Sequence, residues 1–110
     1  MADYGTREDG TPKGVGYFGE LKRPDGSIST ELSAGFNFDG KETLAPLLVP
    51  TLTREEVNLL LSGSKPTDVI YNKAANHALE RMKTGKSVWS LPNEIYQLPQ
   101  EQQPLNNILR

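Results

Sequence analysis

The chain has no cysteine and only one histidine among its 110 residues. Without cysteine there can be no disulfide, no thiolate metal site and no thiol nucleophile. The single histidine, His77, has no second histidine with which to share a metal ion, and a serine triad would depend on it alone. No pair of carboxylates is placed by its surroundings to face a cleft. We therefore expect a protein that is not an enzyme and holds no cofactor or metal.

Long apolar runs and a strong net charge are also missing. No apolar stretch reaches the ~18–20 residues that a membrane span needs, and the first residues lack the apolar core of a signal peptide. The net charge of −2 gives no field that would draw the chain to nucleic acid. Neither a membrane nor a nucleic acid is therefore expected as a partner.

Two turn signals bracket an alternating segment in the middle of the chain. Residues 23–26 read Arg-Pro-Asp-Gly, and Asp39-Gly40 suits a type I′ hairpin. Between them the even positions from 28 to 38 are mostly apolar and the odd ones polar or small, which is typical of a strand with one buried face. Further strands are predicted over residues 15–23 and 42–49, the last at an edge or a bulge because of Pro46. The pattern predicts a three-stranded antiparallel β-meander.

Two helices are predicted after the strands. Thr53 and Glu56 form a capping box at the start of the first helix, and Gly63 is placed to end it. Thr67 caps a longer second helix that ends at Gly85. Its buried face is predicted from apolar residues spaced four apart, namely Ile70, Ala74, Ala78 and Met82. The fold class is therefore α+β, with the meander followed by two helices.

The two ends of the chain lack such periodicity. Residues 1–14 are charged and glycine-bearing, which predicts a flexible N-terminal arm. Trp89 follows the second helix and is expected to close the edge of the core. Residues 90–110 are rich in proline and glutamine, which predicts a flexible C-terminal tail. The α+β domain is therefore predicted to span residues 15–89.

A glycine string at the start of the predicted domain resembles a nucleotide-binding motif. Gly14, Gly16 and Gly19 match G-x-G-x-x-G, but a dinucleotide site needs this string after a buried strand and before a helix. Here it follows a polar arm and leads into a strand. We interpret the glycines instead as positions that let the backbone twist or lie close to other backbone.

A row of basic residues on the second helix is the first candidate binding site. Lys73, His77 and Arg81 are spaced four apart and so lie in line on one helix face. One interpretation is a solvated face whose cations are favourably placed near the C-terminal dipole. The other is a docking surface for an acidic protein or a phosphate backbone, although no aromatic residues interleave to stack on single strands.

Apolar residues in the tail are the second candidate. Leu105, Ile108 and Leu109 have the i, i+3, i+4 spacing of anchors that dock in a groove when a peptide orders on binding. The alternative is a frayed terminus with three leftover apolar residues. The functional interpretation that we adopt for both candidates is binding to a protein and not catalysis.

Three strings of the sequence resemble a small module found in bacteriophages, both as short stand-alone proteins and inside very large phage polypeptides. The strings are RPDGSISTE, FNFDGKETLAPLLVPTL and TGKSVW. They correspond to that family's Pro-Asp-Gly turn, Ser-Thr-Glu strand, Gly-Lys hairpin, Val-Pro-Thr segment and closing Thr-Gly-Lys with a nearby aromatic. The matching positions are Pro24, Asp25, Gly26, Ser29, Thr30, Glu31, Gly40, Lys41, Pro50, Thr51, Thr84, Gly85, Lys86 and Trp89.

The resemblance implies a phage origin and transfers no catalytic residue. It implies a structural or virion-associated protein that binds other virion proteins within an assembly, located in the virion. The alternative is a phage-encoded inhibitor that binds a host protein in the host cytoplasm. The number of copies in an assembly is left open.

Overall fold

The structure is a computed structural model that describes residues 4–100. Four strands precede two helices: β1 (Leu21–Lys22), β2 (Ile28–Ser29), β3 (Ser33–Phe38), β4 (Lys41–Pro46), α1 (Arg54–Leu61) and α2 (Asp68–Lys83). The α+β class is therefore confirmed, as is the order of strands before two helices.

The strands form two separate antiparallel pairs, β1 with β2 and β3 with β4. The predicted three-stranded meander is not confirmed, because the expected second strand is interrupted at Thr30 and Glu31. Both side chains are buried, although successive residues of a strand face opposite sides. The Thr30 hydroxyl donates to the carbonyl oxygen of Gly14 at 2.7 Å, and the Glu31 carboxylate accepts from the Gly14 amide at 2.9 Å. This stretch is held by the arm and not by a neighbouring strand.

The glycine string allows that close approach, as the sequence suggested. Gly16 has a φ of 75°, and a Cβ there would overlap the carbonyl oxygen of Thr30 and lie 2.8 Å from its carbonyl carbon. The string lies in an irregular stretch that leads into β1 and not into a helix. The interpretation of Gly16 as a point of close backbone contact is confirmed, while the first strand is much shorter than predicted.

The β3–β4 hairpin forms as predicted. Asp39 and Gly40 both have positive φ, 53° and 83°, which is the backbone of a type I′ turn. Phe38 pairs with Lys41 across this two-residue loop, and Ser33 pairs with Pro46 at the far end. Because each strand of a two-stranded sheet is an edge, Pro46 is tolerated there.

Both predicted helix starts are confirmed. The Thr53 amide donates to Glu56 Oε1 at 2.8 Å and the Glu56 amide to Thr53 Oγ1 at 3.2 Å, which completes the capping box. Thr67 Oγ1 accepts from the amide of Ile70 at 3.1 Å at the start of α2. The helices end beside Gly63 and Gly85, which have φ values of 86° and 77°.

The buried face of α2 differs from the prediction at one position. Ile70, Ala74 and Ala78 are buried as expected, but Met82 is 39 % exposed and Arg81 is buried instead. Each residue turns the helix by about 100°, so Arg81 lies about 20° from Ile70 around the axis whereas Met82 lies about 120° away. A strict spacing of four drifts off the face after three steps, and the last inward position therefore belongs to Arg81.

The core lies between the two helices, the β3–β4 hairpin and the irregular stretch before β1. Its buried members are Tyr17, Phe18, Leu21, Phe36, Ala45, Leu47, Leu48, Val49, Leu52, Val57, Leu60, Leu61, Ile70, Ala74 and Ala78. Trp89 is half-buried and is not one of these core residues. Its ring instead carries the guanidinium of Arg7, whose carbon lies 3.9 Å from the ring centroid.

Parts of the predicted arm and tail contact the domain. Arg7 pairs with Glu31, and the amide of Tyr96 donates to the carbonyl oxygen of Tyr17 at 2.6 Å. Leu98 packs against the core. The division into arm, domain and tail at residues 15 and 89 stays a prediction, but residues on both outer sides of these limits help to cover the core.

Candidate binding surface

The basic row predicted on α2 does not form an exposed positive surface. Arg81 is only 7 % exposed. Its Nη1 and Nη2 donate to the two carboxylate oxygens of Glu94 at 3.0 and 2.9 Å, its Nη2 also donates to the carbonyl of Trp89, and its Nε donates to the carbonyl of Ser87. The hydrogen bonds with Glu94 raise the pKa of Arg81 against the opposing effect of burial. The expectation that this guanidinium faces solvent is wrong.

Lys73 and His77 also have partners within the chain. Lys73 Nζ lies 2.7 Å from Glu56 Oε1, so this ion pair joins α2 to the capping box of α1. The ring of His77 meets that of Tyr17 edge to face at 4.9 Å, and its Nδ1 is buried without a hydrogen-bond partner among the described residues. Burial, and then the nearby charge of Arg81, lower the pKa of His77. The imidazole is therefore neutral at pH 7.

The three side chains thus contribute little free positive charge at neutral pH. Two are ion-paired and the third is uncharged, so long-range attraction of an acidic partner has a weak basis here. Lys73 and His77 do line a surface groove of about 340 Å³, with Thr51, Asn76 and Glu80. A role of Lys73, His77 and Arg81 in binding a partner stays a prediction. Such binding would have to rely on contacts in this groove, because the three side chains offer little free positive charge.

The structure brings Arg81 together with a segment that follows α2, residues 87–98, here called the C-terminal segment. A tight turn joins the Glu94 amide to the carbonyl of Leu91 at 2.9 Å, and the Leu91 amide donates to Glu94 Oε1 at 2.8 Å. The hydrogen bonds from Arg81 and then from the Leu91 amide lower the pKa of Glu94 to about 2. The carboxylate is therefore charged at neutral pH and fixes the turn to α2.

Tyr17 fixes the segment at two further points. Its hydroxyl donates to the carbonyl oxygen of Val88 at 2.8 Å, and its carbonyl accepts from Tyr96. Burial raises the pKa of the Tyr17 hydroxyl to about 12, so it stays a donor at neutral pH. The C-terminal segment has neither helix nor strand, yet it is tied to the domain at both ends.

Three large apolar side chains of this segment face outward. Leu91, Ile95 and Tyr96 are 48, 53 and 48 % exposed. Single exposed apolar residues are ordinary on a protein surface, and these three are singled out because they lie within six residues of one another on a segment that is fixed to the domain. We call Leu91, Ile95 and Tyr96 the apolar patch. It is the candidate binding surface that the structure adds to the sequence-based candidates.

The apolar patch was not among the sequence-based candidates, although its signal was present in the sequence. Leu91, Ile95 and Tyr96 are apolar residues within a proline- and glutamine-rich stretch, the same contrast that singled out the tail residues further on. Those residues, Leu105, Ile108 and Leu109, lie outside the described residues. The missing information was the Arg81–Glu94 ion pair, which fixes the segment and which no local pattern predicts.

Residues 4–100 offer no group of three or more His, Cys, Asp or Glu side chains that could hold a metal ion. Neither α1 nor α2, the helices of that range, has the length and apolar character needed to cross a membrane. No protein-family model, curated protein or solved structure matches the chain.

Proposed function

We propose that this chain is a small bacteriophage structural or virion-associated protein, not an enzyme, that acts by binding other proteins within an assembly. The phage origin is supported by the ordered strings of the sequence, from the Pro-Asp-Gly turn at residues 24–26 to the Thr-Gly-Lys at residues 84–86. The virion is the proposed location, and other virion proteins are the proposed partners.

The observation that supports binding is the apolar patch. Leu91, Ile95 and Tyr96 are about half exposed on a segment whose position is set by the Arg81–Glu94 ion pair and the Tyr17 hydrogen bonds. A partner that covered these side chains would gain the free energy of apolar burial, about 25 cal/mol for each Å² removed from water. Since the segment is already held in place, binding would cost little ordering of its backbone. The tail residues Leu105, Ile108 and Leu109 follow within the same stretch of sequence.

Quantitative mass spectrometry of purified phage particles tests the proposal. We expect the wild-type chain among the virion proteins, and we expect Leu91→Asp/Ile95→Asp to be depleted from particles while it accumulates normally in infected cells. Ile28→Asp is the matched control, because Ile28 is 50 % exposed on β2 and lies outside the patch. Equal incorporation of all three proteins would contradict the role of the patch.

The same measurement distinguishes the virion role from the alternative function. A phage-encoded inhibitor of a host protein acts after entry and is not required in the particle. Absence of the wild-type chain from particles, together with its presence in infected cells, would therefore contradict the virion role and favour the inhibitor. Thermal unfolding of each variant checks that a loss of incorporation is not a loss of folding.

A further inference from the structure

Two short turns of the chain share a sequence and a backbone path. Residues 7–11 read Arg-Glu-Asp-Gly-Thr, and residues 23–27 read Arg-Pro-Asp-Gly-Ser. The antiparallel pairs that enclose them are offset in the same way, since Thr6 pairs with Pro12 and Lys22 pairs with Ile28. We call residues 6–12 the first repeat and residues 22–28 the second repeat.

The hydrogen bonds within the two repeats are the same. In each, the amide of the arginine donates to the carbonyl oxygen four residues on, at 2.7 Å in the first repeat and 2.8 Å in the second. The glycine amide donates back to the carbonyl of the arginine at 2.9 Å in both, and the two glycines have φ values of 89° and 90°. The aspartate accepts from the amide and the hydroxyl two residues on. Arg7 and Arg23 are therefore presented from equivalent backbones.

The two arginines differ in what their side chains meet. Nε and Nη2 of Arg7 donate to the two carboxylate oxygens of Glu31 at 2.7 and 2.8 Å, which is the bidentate geometry of an arginine–carboxylate pair. Nη1 of Arg23 donates to the hydroxyl of Ser29 at 3.1 Å, and no carboxylate of residues 4–100 forms an ion pair with this guanidinium. The second repeat thus presents the same group as the first without the same partner.

Arg23 lines a surface groove of about 300 Å³ between the second repeat and α1. The other described residues that line the groove are Lys22, Pro24, Asn58 and Leu61, and none of the five is acidic. The Asn58 side-chain oxygen accepts from Arg54 Nε at 3.3 Å, which leaves the amide nitrogen to donate elsewhere. The groove therefore combines two cations and an amide donor with two apolar side chains. This composition suits a carboxylate carried on a short apolar stem.

We propose that this groove binds a glutamate or aspartate side chain of a partner protein, and that Arg23 pairs with its carboxylate as Arg7 pairs with Glu31. Lys22 supplies a second positive charge, and Asn58 supplies a hydrogen-bond donor. The groove shares no residue with the apolar patch, so this proposal does not rest on the function proposed above.

An NMR titration with an acidic peptide tests the groove. The probe is acetyl-tetraglutamate amide, and acetyl-tetraglutamine amide is the neutral control of equal length. In the ¹⁵N-labelled full-length chain, the acidic peptide should shift the Nε–H signal of Arg23 and the side-chain amide signals of Asn58 in a saturable way, and the neutral peptide should not. An equal response to the neutral peptide would overturn the proposal. An equal response to inorganic phosphate at the same ionic strength would overturn the choice of a carboxylate ligand.

Substitutions of Arg23 show whether the arginine is responsible. Arg23→Gln should weaken peptide binding about tenfold or more, because charge-assisted hydrogen bonds are lost. Arg23→Lys should bind more weakly than the wild-type chain, since an ammonium lacks the planar fork. Lys41→Gln is the matched control, because it removes one positive charge from an exposed position of β4, and it should bind as the wild-type chain does. Unchanged binding by Arg23→Gln, or an equal loss in Lys41→Gln, would overturn the proposal.

A carboxylate placed in the groove gives a second test that leaves Arg23 intact. Asn58→Asp should block binding of the acidic peptide, because the new carboxylate occupies the groove and pairs with the cations there. Asn72→Asp makes the same substitution at an exposed position of α2 and should leave binding unchanged. Binding that survives Asn58→Asp would overturn the proposal even if Arg23→Gln does not fold.

The position of Arg23 near the end of α1 suggests a purely structural alternative. A Cβ at Gly63 would lie 3.8 Å from Arg23 Nη2, and the last turn of α1 has no basic residue of its own. A cation is favourable at the C-terminal end of a helix. If this were the whole role of Arg23, the acidic peptide would produce no saturable shift in the wild-type chain, and the proposal would be wrong.

Discussion

Single residues decide how the arm meets the domain. Gly16 lies so close to Thr30 that no side chain fits between the two backbones. Next to that contact, Glu31 is buried and its carboxylate accepts hydrogen bonds from Arg7 and from the Gly14 amide. A buried ion pair is weak support for net stability, but loss of one partner leaves an uncompensated charge and is strongly destabilising. This junction is therefore sensitive to changes that would be tolerated on the surface.

Gly16→Ala should destabilise the protein more than the same change at Gly26. Both glycines have positive φ, 75° and 90°, and an L-residue there costs roughly 1–2 kcal/mol. A Cβ at Gly26 meets no atom within 4 Å, whereas one at Gly16 overlaps the Thr30 carbonyl. Urea unfolding of the two variants therefore separates backbone strain from steric overlap. Equal losses of unfolding free energy would mean that Thr30 moves aside without cost.

The secondary-structure elements were predictable wherever the determining signals are local. Asp39-Gly40, the Thr53–Glu56 capping box and the Thr67 cap each depend on residues at most three apart, and all three formed. The broken second strand was not predictable, because the partner of Glu31 is Arg7, which lies 24 residues away. The burial of Arg81 was missed for the same kind of reason, since Glu94 lies beyond α2 in a stretch interpreted as a tail. The apolar patch could thus not be placed without the tertiary contact between Arg81 and Glu94.

The attachment of the C-terminal segment to α2 should depend on pH through Glu94. The pKa of Glu94 is about 2 in the folded protein, against an ordinary value of 4.5. Between about pH 2 and pH 4.5 the unfolded state therefore binds more protons than the folded state. The carboxylate therefore contributes stability that is fully present above about pH 4.5 and is lost as pH falls toward about 2. Glu94→Gln should lower the melting temperature most near neutral pH, and this difference should shrink on acidification. A difference that is constant with pH would contradict the assignment.

At the scale of the whole molecule, Arg7 of the arm and the C-terminal segment both contact the surroundings of Tyr17 and Trp89. Arg7 covers the Trp89 ring, the carbonyl of Trp89 accepts from Arg81, and Tyr96 binds the backbone of Tyr17. Residues before 15 and after 89 therefore complete a domain that the sequence pattern alone would have limited to the strands and helices.

A chain that ends at Trp89 should consequently melt several degrees lower than the full-length chain. The cut removes Glu94 and leaves the buried Arg81 without its carboxylate, and it removes the cover that Tyr96 and Leu98 provide. Calorimetry of both proteins gives the comparison. Arg81→Met in the shortened chain should recover part of the loss, because an apolar side chain of similar length needs no ion-pair partner. Identical melting temperatures before and after the cut would show that residues 90–98 contribute nothing to the fold.

The bond between Tyr17 and Val88 also bears on how the protein forms during synthesis. The two residues are 71 positions apart, an interval of roughly 4–14 s at the ~5–20 residues per second of a translating ribosome. Arg7 and Glu31, 24 positions apart, are both present much earlier. A nascent chain can thus neutralise its first buried carboxylate before α2 exists, whereas the Tyr17 ring waits for its cover until almost ninety residues have been made. During that interval the growing polypeptide exposes the Tyr17 side chain to other molecules, and a chaperone that binds it then would act before the C-terminal segment has been made.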